Sequence, residues 1–158
     1  MKIKKLLASI LIGTFCLWLL VGMGIWVKIK FTNWKRLNEI EEVNAASYRT
    51  FRKFVDEIEE KTDWSVEIIS GLRTKERQKE LLQENSKNAS ANKSRHVLGR
   101  AIDINLYQKN WLWRIWLKKF NSKKDWRNTG VVKISDKYGL LWGGTYNSYH
   151  DPVHFEIR

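Results

Sequence analysis

The pattern of apolar and polar positions divides the chain into a long apolar segment and a region of mixed helices and strands. Residues 6–27 form an uncharged run of 22 residues, which at about 1.5 Å per residue is long enough to cross a hydrocarbon core of roughly 30 Å. Beyond it, apolar residues recur at three- and four-residue spacing from Leu37 to Ile58, which predicts an amphipathic helix. The segment WSVEIIS at 64–70 predicts a strand, and Gly71 ends it.

The second half of the chain predicts further short elements around a polar loop. Thr74 is a residue type that caps helices, and a helix after it has Leu81 and Leu82 on its buried side. The other predicted elements are a loop at 84–95, a strand at 97–106, a basic Trp-rich helix at 111–120, a short helix at 129–137 and closing strands at 139–143 and 153–157. Helices and strands that do not alternate regularly indicate an α+β fold, with a small mixed or antiparallel sheet flanked by helices.

The apolar run predicts one transmembrane helix ahead of a single folded domain. Its length exceeds the roughly 7 to 15 apolar residues of a cleavable signal peptide, and no small-x-small cleavage site follows it. Basic residues flank the run on both sides, so charge does not determine its orientation. We therefore expect a membrane anchor with basic flanks at residues 1–30 and a folded domain at residues 31–158.

Cysteine content and charge narrow the classes of function. The one cysteine, Cys16, lies inside the apolar run, which excludes disulfides and, in practice, a thiol nucleophile. Beyond Lys30 the chain carries 24 basic and 17 acidic residues. This excess of positive charge suits an anionic partner, and nucleic acid, anionic lipid and an anionic cell-wall polymer all qualify.

Two segments combine histidine with carboxylate in a chain that has three histidines. His96 precedes Asp103 in one predicted strand region, and Asp151 precedes His154 in the last one. If these segments are neighbours in the sheet, His96, Asp103 and His154 converge, and such a mixed nitrogen and oxygen set suits a catalytic zinc ion with a fourth position for water. Asp151 would then be a spare carboxylate that acts as a base.

The same segments resemble a known family of zinc peptidases. SRHVLGRAIDIN at 94–105 fits the pattern S-x-H-x-x-G-x-A-x-D, and DPVHFE at 151–156 fits D/E-x-x-H. These patterns are typical of VanY- and VanX-type D-alanyl-D-alanine peptidases and of the L-alanyl-D-glutamate peptidases of phage endolysins. SGLRTKERQKELL at 70–82 and YGLLWGGTY at 138–146 resemble two further segments of the family. All four occur in the family's order, and the resemblance covers residues 37–158.

The resemblance implies a Hedgehog/D-Ala-D-Ala peptidase-like fold and roles for individual residues. One zinc ion per chain would be held by His96, Asp103 and His154, and the zinc-bound water would be activated by Asp151. Arg73 matches the family arginine that faces the substrate carbonyl, where a permanent cation stabilises the developing oxyanion.

Two further positions match substrate contacts, and the choice of base has an alternative. The resemblance implies that Ser94 contacts the substrate and that Trp142 lines the cleft, although an aromatic residue before two glycines is equally typical of core packing. Glu156 follows His154 by two residues and so shares its strand face, which makes it either a rival base or a partner of the ligand histidine. The family's spacing favours Asp151.

Together these observations predict a membrane-anchored zinc metallopeptidase that hydrolyses peptidoglycan stem peptides outside the cytoplasm. The cleaved bond stays open between L-Ala-D-Glu endopeptidase and D-Ala-D-Ala carboxypeptidase activity. The main alternative is a non-catalytic, membrane-anchored module that binds the cell wall. A nucleic-acid-binding protein ranks lower, because charge and the Trp/Lys segment alone support it, so no nucleic-acid partner is expected. The 111–120 helix either rests at the membrane interface or covers the sheet.

Overall fold

A computed structural model describes residues 2–86, 88–109, 116–147 and 149–158 of the chain. Its elements, in chain order, are α1 (Lys2–Val43), α2 (Ala45–Lys61), β1 (Trp64–Ser70), α3 (Lys75–Glu84), β2 (Ala101–Gln108), β3 (Trp116–Leu117), α4 (Lys123–Asn128), α5 (Val131–Lys137), β4 (Leu140–Trp142), a short 3₁₀ helix (Gly143–Thr145) and β5 (His154–Ile157).

The strands form one antiparallel sheet in the order β1-β2-β5-β4, and β3 pairs with the second half of β2. Alternate residues of the central strands, including Ile102, Ile104 and Phe155, are completely buried. Helices α1 and α2 pack against β1, and α5 packs against β4. The predicted α+β class with a small sheet flanked by helices is confirmed.

Helix α1 has an exposed apolar part and a part that packs into the domain. By length and composition, residues Ile12–Val43 could cross a membrane. From Ile29 onward one side of the helix enters the core, where Leu37 and Ile40 are buried. The expected division of the chain at residue 30 therefore falls inside one continuous helix, next to its first buried core residue.

The outer edge of β1 is covered by hydrogen bonds from side chains of the helices. Asn33 donates from its amide to Val66 O at 2.8 Å and accepts from Ile68 N at 2.7 Å. The Glu59 carboxylate accepts from Val66 N at 3.2 Å. Backbone groups on an edge strand would otherwise be unpaired, so these contacts attach the helices to the sheet.

The amphipathic pattern that begins at Leu37 belongs to two helices rather than one. Asn44 leaves helical geometry between α1 and α2, and its side-chain oxygen accepts from Ser47 N at 3.0 Å. This bond satisfies a free amide at the start of α2 and sets the new direction of the chain. The helical period continues across the break, so periodicity alone does not reveal it.

Two predicted elements near the sheet are corrected by the structure. The strand predicted at 97–106 begins at Ala101, because Gly99 has φ +61° and closes a turn. The prediction of a helix at 111–120 is wrong for Trp116–Leu117. These two residues form the strand β3, which pairs with β2, and Leu117 is buried. Backbone pairing with a neighbouring strand outweighs the helical spacing of these aromatic residues. Residues 111–115 of that prediction lie outside the described residues.

The remaining helices differ from prediction in detail. Thr74 caps α3 as predicted, but the buried residue of this helix is Gln78, while Leu81 and Leu82 are half-exposed. Helix α4 was not predicted, although Ser122 and the acidic residue three positions later form a capping box that marks its start. The helix predicted at 129–137 begins at Val131.

Candidate metal centre

Three polar side chains from two distant parts of the sequence meet at the sheet. His96 Nε2 lies 3.3 Å from His154 Nδ1 and 3.2 Å from Asp103 Oδ1. Asp103 Oδ1 lies 2.8 Å from His154 Nδ1. Both histidines are buried, and Asp103 is half-buried. The structure thus brings the three residues predicted as ligands to one place.

The backbone around these residues explains why they converge. Asp103 and His154 are register partners on the antiparallel strands β2 and β5, so their side chains leave the same face side by side. His96 lies in the turn before β2, not on a strand. Its carbonyl accepts from Arg73 N at 3.2 Å, and its ring Nδ1 donates to Gly71 O at 2.8 Å. Two hydrogen bonds therefore hold this turn against the segment that follows β1.

The outer hydrogen bonds of the two histidines direct their inner nitrogens toward one point. His96 Nδ1 donates to Gly71 O, and His154 Nε2 lies 3.2 Å from Glu156 Oε2, to which it donates. His96 Nε2 and His154 Nδ1 then face Asp103 Oδ1. Tetrahedral ligands about 2.0–2.2 Å from a zinc ion are separated by about 3.3 Å, and the observed separations of 2.8 to 3.3 Å are close to that value. The three donor atoms could hold a metal ion, and their types and separations suit zinc.

The pKa values at the site reflect mutual stabilisation of opposite charges. Burial disfavours ionisation of Asp103, yet the imidazoles of His96 and His154 hold the pKa of this carboxyl well below its usual range. Burial also disfavours a charged His154, but its hydrogen bonds to Asp103 and Glu156 raise its pKa to about 9. A metal ion bound by these groups would have to displace the proton from His154 Nδ1.

Arg73 is fixed beside the three residues by polar groups that surround its guanidinium. Nη1 donates to Gln78 Oε1 at 2.7 Å, and Nη2 donates to Ser70 Oγ at 3.0 Å. Nη2 also lies 3.7 Å from Asp103 Oδ2. A permanent cation is therefore held next to the candidate ligands in one orientation.

Asp151 lies just before β5, with one carboxylate oxygen enclosed by the protein. Its Oδ1 is buried and accepts no hydrogen bond from the described part of the chain, although Lys119 Nζ is 3.4 Å away. Its backbone oxygen accepts from His154 N at 3.2 Å. Gly143 permits this packing, because a Cβ at that position would lie 2.4 Å from Asp151 O. The segment before β5 therefore packs directly against the turn that follows β4.

Comparisons with known proteins give one family match over part of the chain and one similar fold. Residues 87–157 match the family model described as D-alanyl-D-alanine carboxypeptidase. The family resemblance predicted from the sequence is confirmed. Among solved structures, the L-Ala D-Glu endopeptidase ChiX of Serratia marcescens is similar, with a TM-score of 0.54 and 20% identity over 78% of this chain and 86% of that chain. Such a likeness shows the fold. No curated protein matches the chain significantly. The matched region contains His96, Asp103 and His154.

The two positions predicted to contact substrate are both buried. Trp142 is 2% exposed within the core, and its indole N–H donates to Pro152 O at 2.7 Å. The structure therefore packs Trp142 in the core with its polar atom bonded inside the fold, and its contact with substrate stays a prediction. Ser94 is 3% exposed and donates from Oγ to Gln78 Oε1 at 3.1 Å.

Gln78 is a buried residue at the site that sequence reasoning missed. Its Oε1 accepts from both Arg73 and Ser94, and its Nε2 donates to Ala89 O at 2.7 Å. It thus connects the arginine to the loop that leads to His96. Its place one helical turn after the cap residue Thr74 is the signal that could have identified it.

Glu156 has three polar neighbours that define its position. Besides the bond to His154 Nε2, it forms a side-chain hydrogen bond with Tyr146 and lies 4.0 Å from Arg95 Nε. Burial and the negative charge of Glu156 raise the pKa of the Tyr146 phenol, which donates to it. Glu156 therefore contacts the histidine from the side opposite Asp103.

The third histidine lies outside the three-residue cluster. His150 Nε2 donates to Asn121 O at 3.0 Å and is exposed. It connects the segment before β5 to the turn that precedes α4.

Proposed function

We propose that this protein is a membrane-anchored zinc metallopeptidase that hydrolyses the stem peptides of peptidoglycan. The observation that supports this most directly is the convergence of His96, Asp103 and His154 within 3.3 Å of one another, inside the region that matches a peptidase family. The family description names a D-alanyl-D-alanine carboxypeptidase, and the similar Serratia protein is named an L-Ala D-Glu endopeptidase. Both bonds occur in peptidoglycan stems, so we propose one of these two as the cleaved bond.

The three residues would hold one zinc ion per chain. Zinc at this position would supply a Lewis acid for the substrate carbonyl and would make water a stronger acid. The charge of Asp103 and the carbonyl and carboxylate behind the two histidines suit a divalent cation.

Asp151 takes the proton of the attacking water and passes it to the leaving amine. Its Oδ1 accepts no hydrogen bond from the described residues and has Lys119 Nζ as an ion-pair neighbour at 3.4 Å, so its lone pairs are not taken up by another group. Glu156 is the weaker candidate for this role because its Oε2 already accepts from His154. We assign Glu156 the task of orienting that ring.

Arg73 stabilises the negative charge that develops on the carbonyl oxygen. Its guanidinium is held by Ser70 and Gln78 without direct hydrogen bonding to a carboxylate, since Asp103 Oδ2 is 3.7 Å away. The cation is therefore preorganised and keeps part of its charge for a reacting group. Ser94 supports it indirectly through Gln78.

Residues 1–30 would anchor the protein in a membrane, and residues 31–158 would form the peptidase domain outside the cytoplasm. Most of the apolar side chains described in α1 before Lys28, among them Leu17 and Leu20, are more than half exposed. Exposed apolar side chains along a helix of this length favour a lipid environment. The external location follows from the substrate.

The proposal is tested with the full chain purified in detergent. Zinc content is measured after dialysis, and peptidoglycan fragments released from purified sacculi are identified by mass spectrometry, which also identifies the cleaved bond. We expect one zinc per chain and cleavage of a stem-peptide bond. Asp151→Asn should reduce cleavage at least a hundredfold while zinc is retained, and the exposed control Glu60→Gln should leave cleavage unchanged.

Two results would contradict the proposal. Full activity of Asp151→Asn would remove Asp151 from the mechanism. A chain that binds zinc but releases no fragment would favour the non-catalytic wall-binding alternative.

A further inference from the structure

A turn at residues 118–122 reaches Asp151 at the edge of the candidate active site. Lys119 Nζ lies 3.4 Å from Asp151 Oδ1, and the side chain of Lys119 is 56% exposed. Phe120 beside it is 95% exposed. The turn therefore presents a cation and an aromatic ring at the rim of the site.

Several hydrogen bonds fix this turn in place. The buried Trp126 donates from Nε1 to Lys118 O at 3.3 Å. His150 donates to Asn121 O at 3.0 Å, and Ser122 forms the capping box of α4. The backbone on both sides of Lys119 is thus held by the protein, so Lys119 has a defined place beside the base.

The Lys119 ammonium would attract a substrate carboxylate to a site whose other charged groups include carboxylates. Asp151 and Glu156 are carboxylates outside the three candidate ligands, and each would repel a substrate carboxylate placed beside it. Arg73 is enclosed by its own polar partners. Lys119 keeps most of its side chain in solvent, and its ammonium has three donors, of which Asp151 uses at most one.

We propose that Lys119 binds a free carboxylate of the substrate next to the scissile bond and thereby determines which peptides are cleaved. The inference rests on the proposed peptidase function and extends it to the substrate class. The carboxylate is either the C-terminus of the peptide or the α-carboxylate of a glutamyl residue linked through its side chain. In either case Lys119 lies between this carboxylate and Asp151 and contacts both.

The experiment compares paired substrates with the zinc-loaded full chain in detergent. One pair is a peptide that ends in D-Ala-D-Ala and its C-terminal amide. The other is a peptide with an L-Ala-γ-linked D-Glu bond and its α-carboxamide. kcat/KM is measured for the pair that is cleaved, with the wild type, Lys119→Met, Lys119→Arg and the exposed control Lys124→Met. Calorimetry gives the affinity of the corresponding product peptides.

We expect the wild type to have about tenfold higher kcat/KM for the carboxylate form than for the amide form, because a charge-assisted hydrogen bond stabilises binding by about that factor. Lys119→Met should abolish this preference, mainly through KM, whereas Lys119→Arg and Lys124→Met should keep it. The substrate pair whose carboxylate preference is lost in Lys119→Met identifies the source of the carboxylate. Selective binding of carboxylate peptides without cleavage would support the subsite and contradict the peptidase function.

Two other results would contradict carboxylate binding by Lys119 without contradicting the proposed peptidase function. If Lys119→Met slows both members of the pair equally, Lys119 acts only through Asp151. If the wild type cleaves both members equally well, no carboxylate is recognised there.

Discussion

Asp103 and His154 are direct neighbours across β2 and β5, and their side-chain atoms Oδ1 and Nδ1 are 2.8 Å apart. The pairing of two strands therefore fixes two of the three candidate ligands before any ion binds. The third, His96, comes from a turn and depends on its bonds to Arg73 N and Gly71 O. A site of this kind is preorganised by the sheet and completed by a loop.

Replacement of Glu156 separates its two possible roles. If it orients His154, Glu156→Gln should weaken zinc binding about tenfold, and excess zinc should restore most of the activity. Zinc affinity is measured by competition with a chelator, and kcat is measured at saturating zinc. A variant with unchanged zinc affinity and a kcat that excess zinc does not restore would instead make Glu156 the base.

Zinc uptake should release a proton from His154. Because the pKa of this histidine in the metal-free protein is raised to about 9, the ring is protonated at pH 7 and must lose one proton to bind zinc. Zinc affinity should therefore increase as the pH rises toward 9, and the protons released per zinc should decrease by about one as the pH passes through 9. Calorimetry in buffers of different ionisation enthalpy measures this number. If the number of protons released per zinc does not change between pH 7 and pH 10, His154 is not the source of the proton.

Gln78 should act on the reaction through Arg73. Gln78→Met removes the acceptor that holds the guanidinium, so we expect kcat to fall about tenfold with a smaller change in KM. The same substitution in an Arg73→Met background should cause little further loss, which a double-mutant cycle measures. An equal fall in kcat in the wild type and in Arg73→Met would show that Gln78 matters for the fold alone. Thermal unfolding of all four proteins serves as the control.

Asn33 should be important for stability although it lies far from the site. Asn33→Leu leaves Val66 O and Ile68 N without their side-chain partners at the edge of β1. We expect a loss of about 2 kcal/mol in the free energy of unfolding, because unsatisfied buried backbone groups cost roughly 1–3 kcal/mol each and some relaxation occurs. Lys35→Leu, at an exposed position on the same helix, is the control. A variant as stable as the control would show that packing alone attaches α1 to the sheet.

The sequence predicts the parts of this molecule that depend on local pattern. The strand at Trp64–Ser70 and the cap at Thr74 were predicted at their observed positions, because alternation and capping are properties of neighbouring residues. The convergence of Asp103 with His154 could be expected once two unusual strands were assumed to be neighbours. Their register, which makes them direct partners, required the structure.

The parts that escaped prediction depend on contacts between distant segments. Trp116–Leu117 follows a helical pattern but pairs with β2, which local spacing does not encode. Trp142 packs in the core, where its indole donates to Pro152 O of a separate segment. The role of Gln78 as a shared acceptor depends on the approach of Arg73 and Ser94 from separate segments.

The central claim is that one metal ion, held by His96, Asp103 and His154, is required for peptide hydrolysis. The most direct measurement is a zinc titration of the chelator-treated full chain, with cleavage of the stem peptide followed by mass spectrometry. We expect no cleavage without metal. The cleavage rate should then rise linearly with added zinc and saturate at one zinc per chain. His154→Gln should require far more zinc to reach any activity. Full cleavage by the chelator-treated chain would contradict the account.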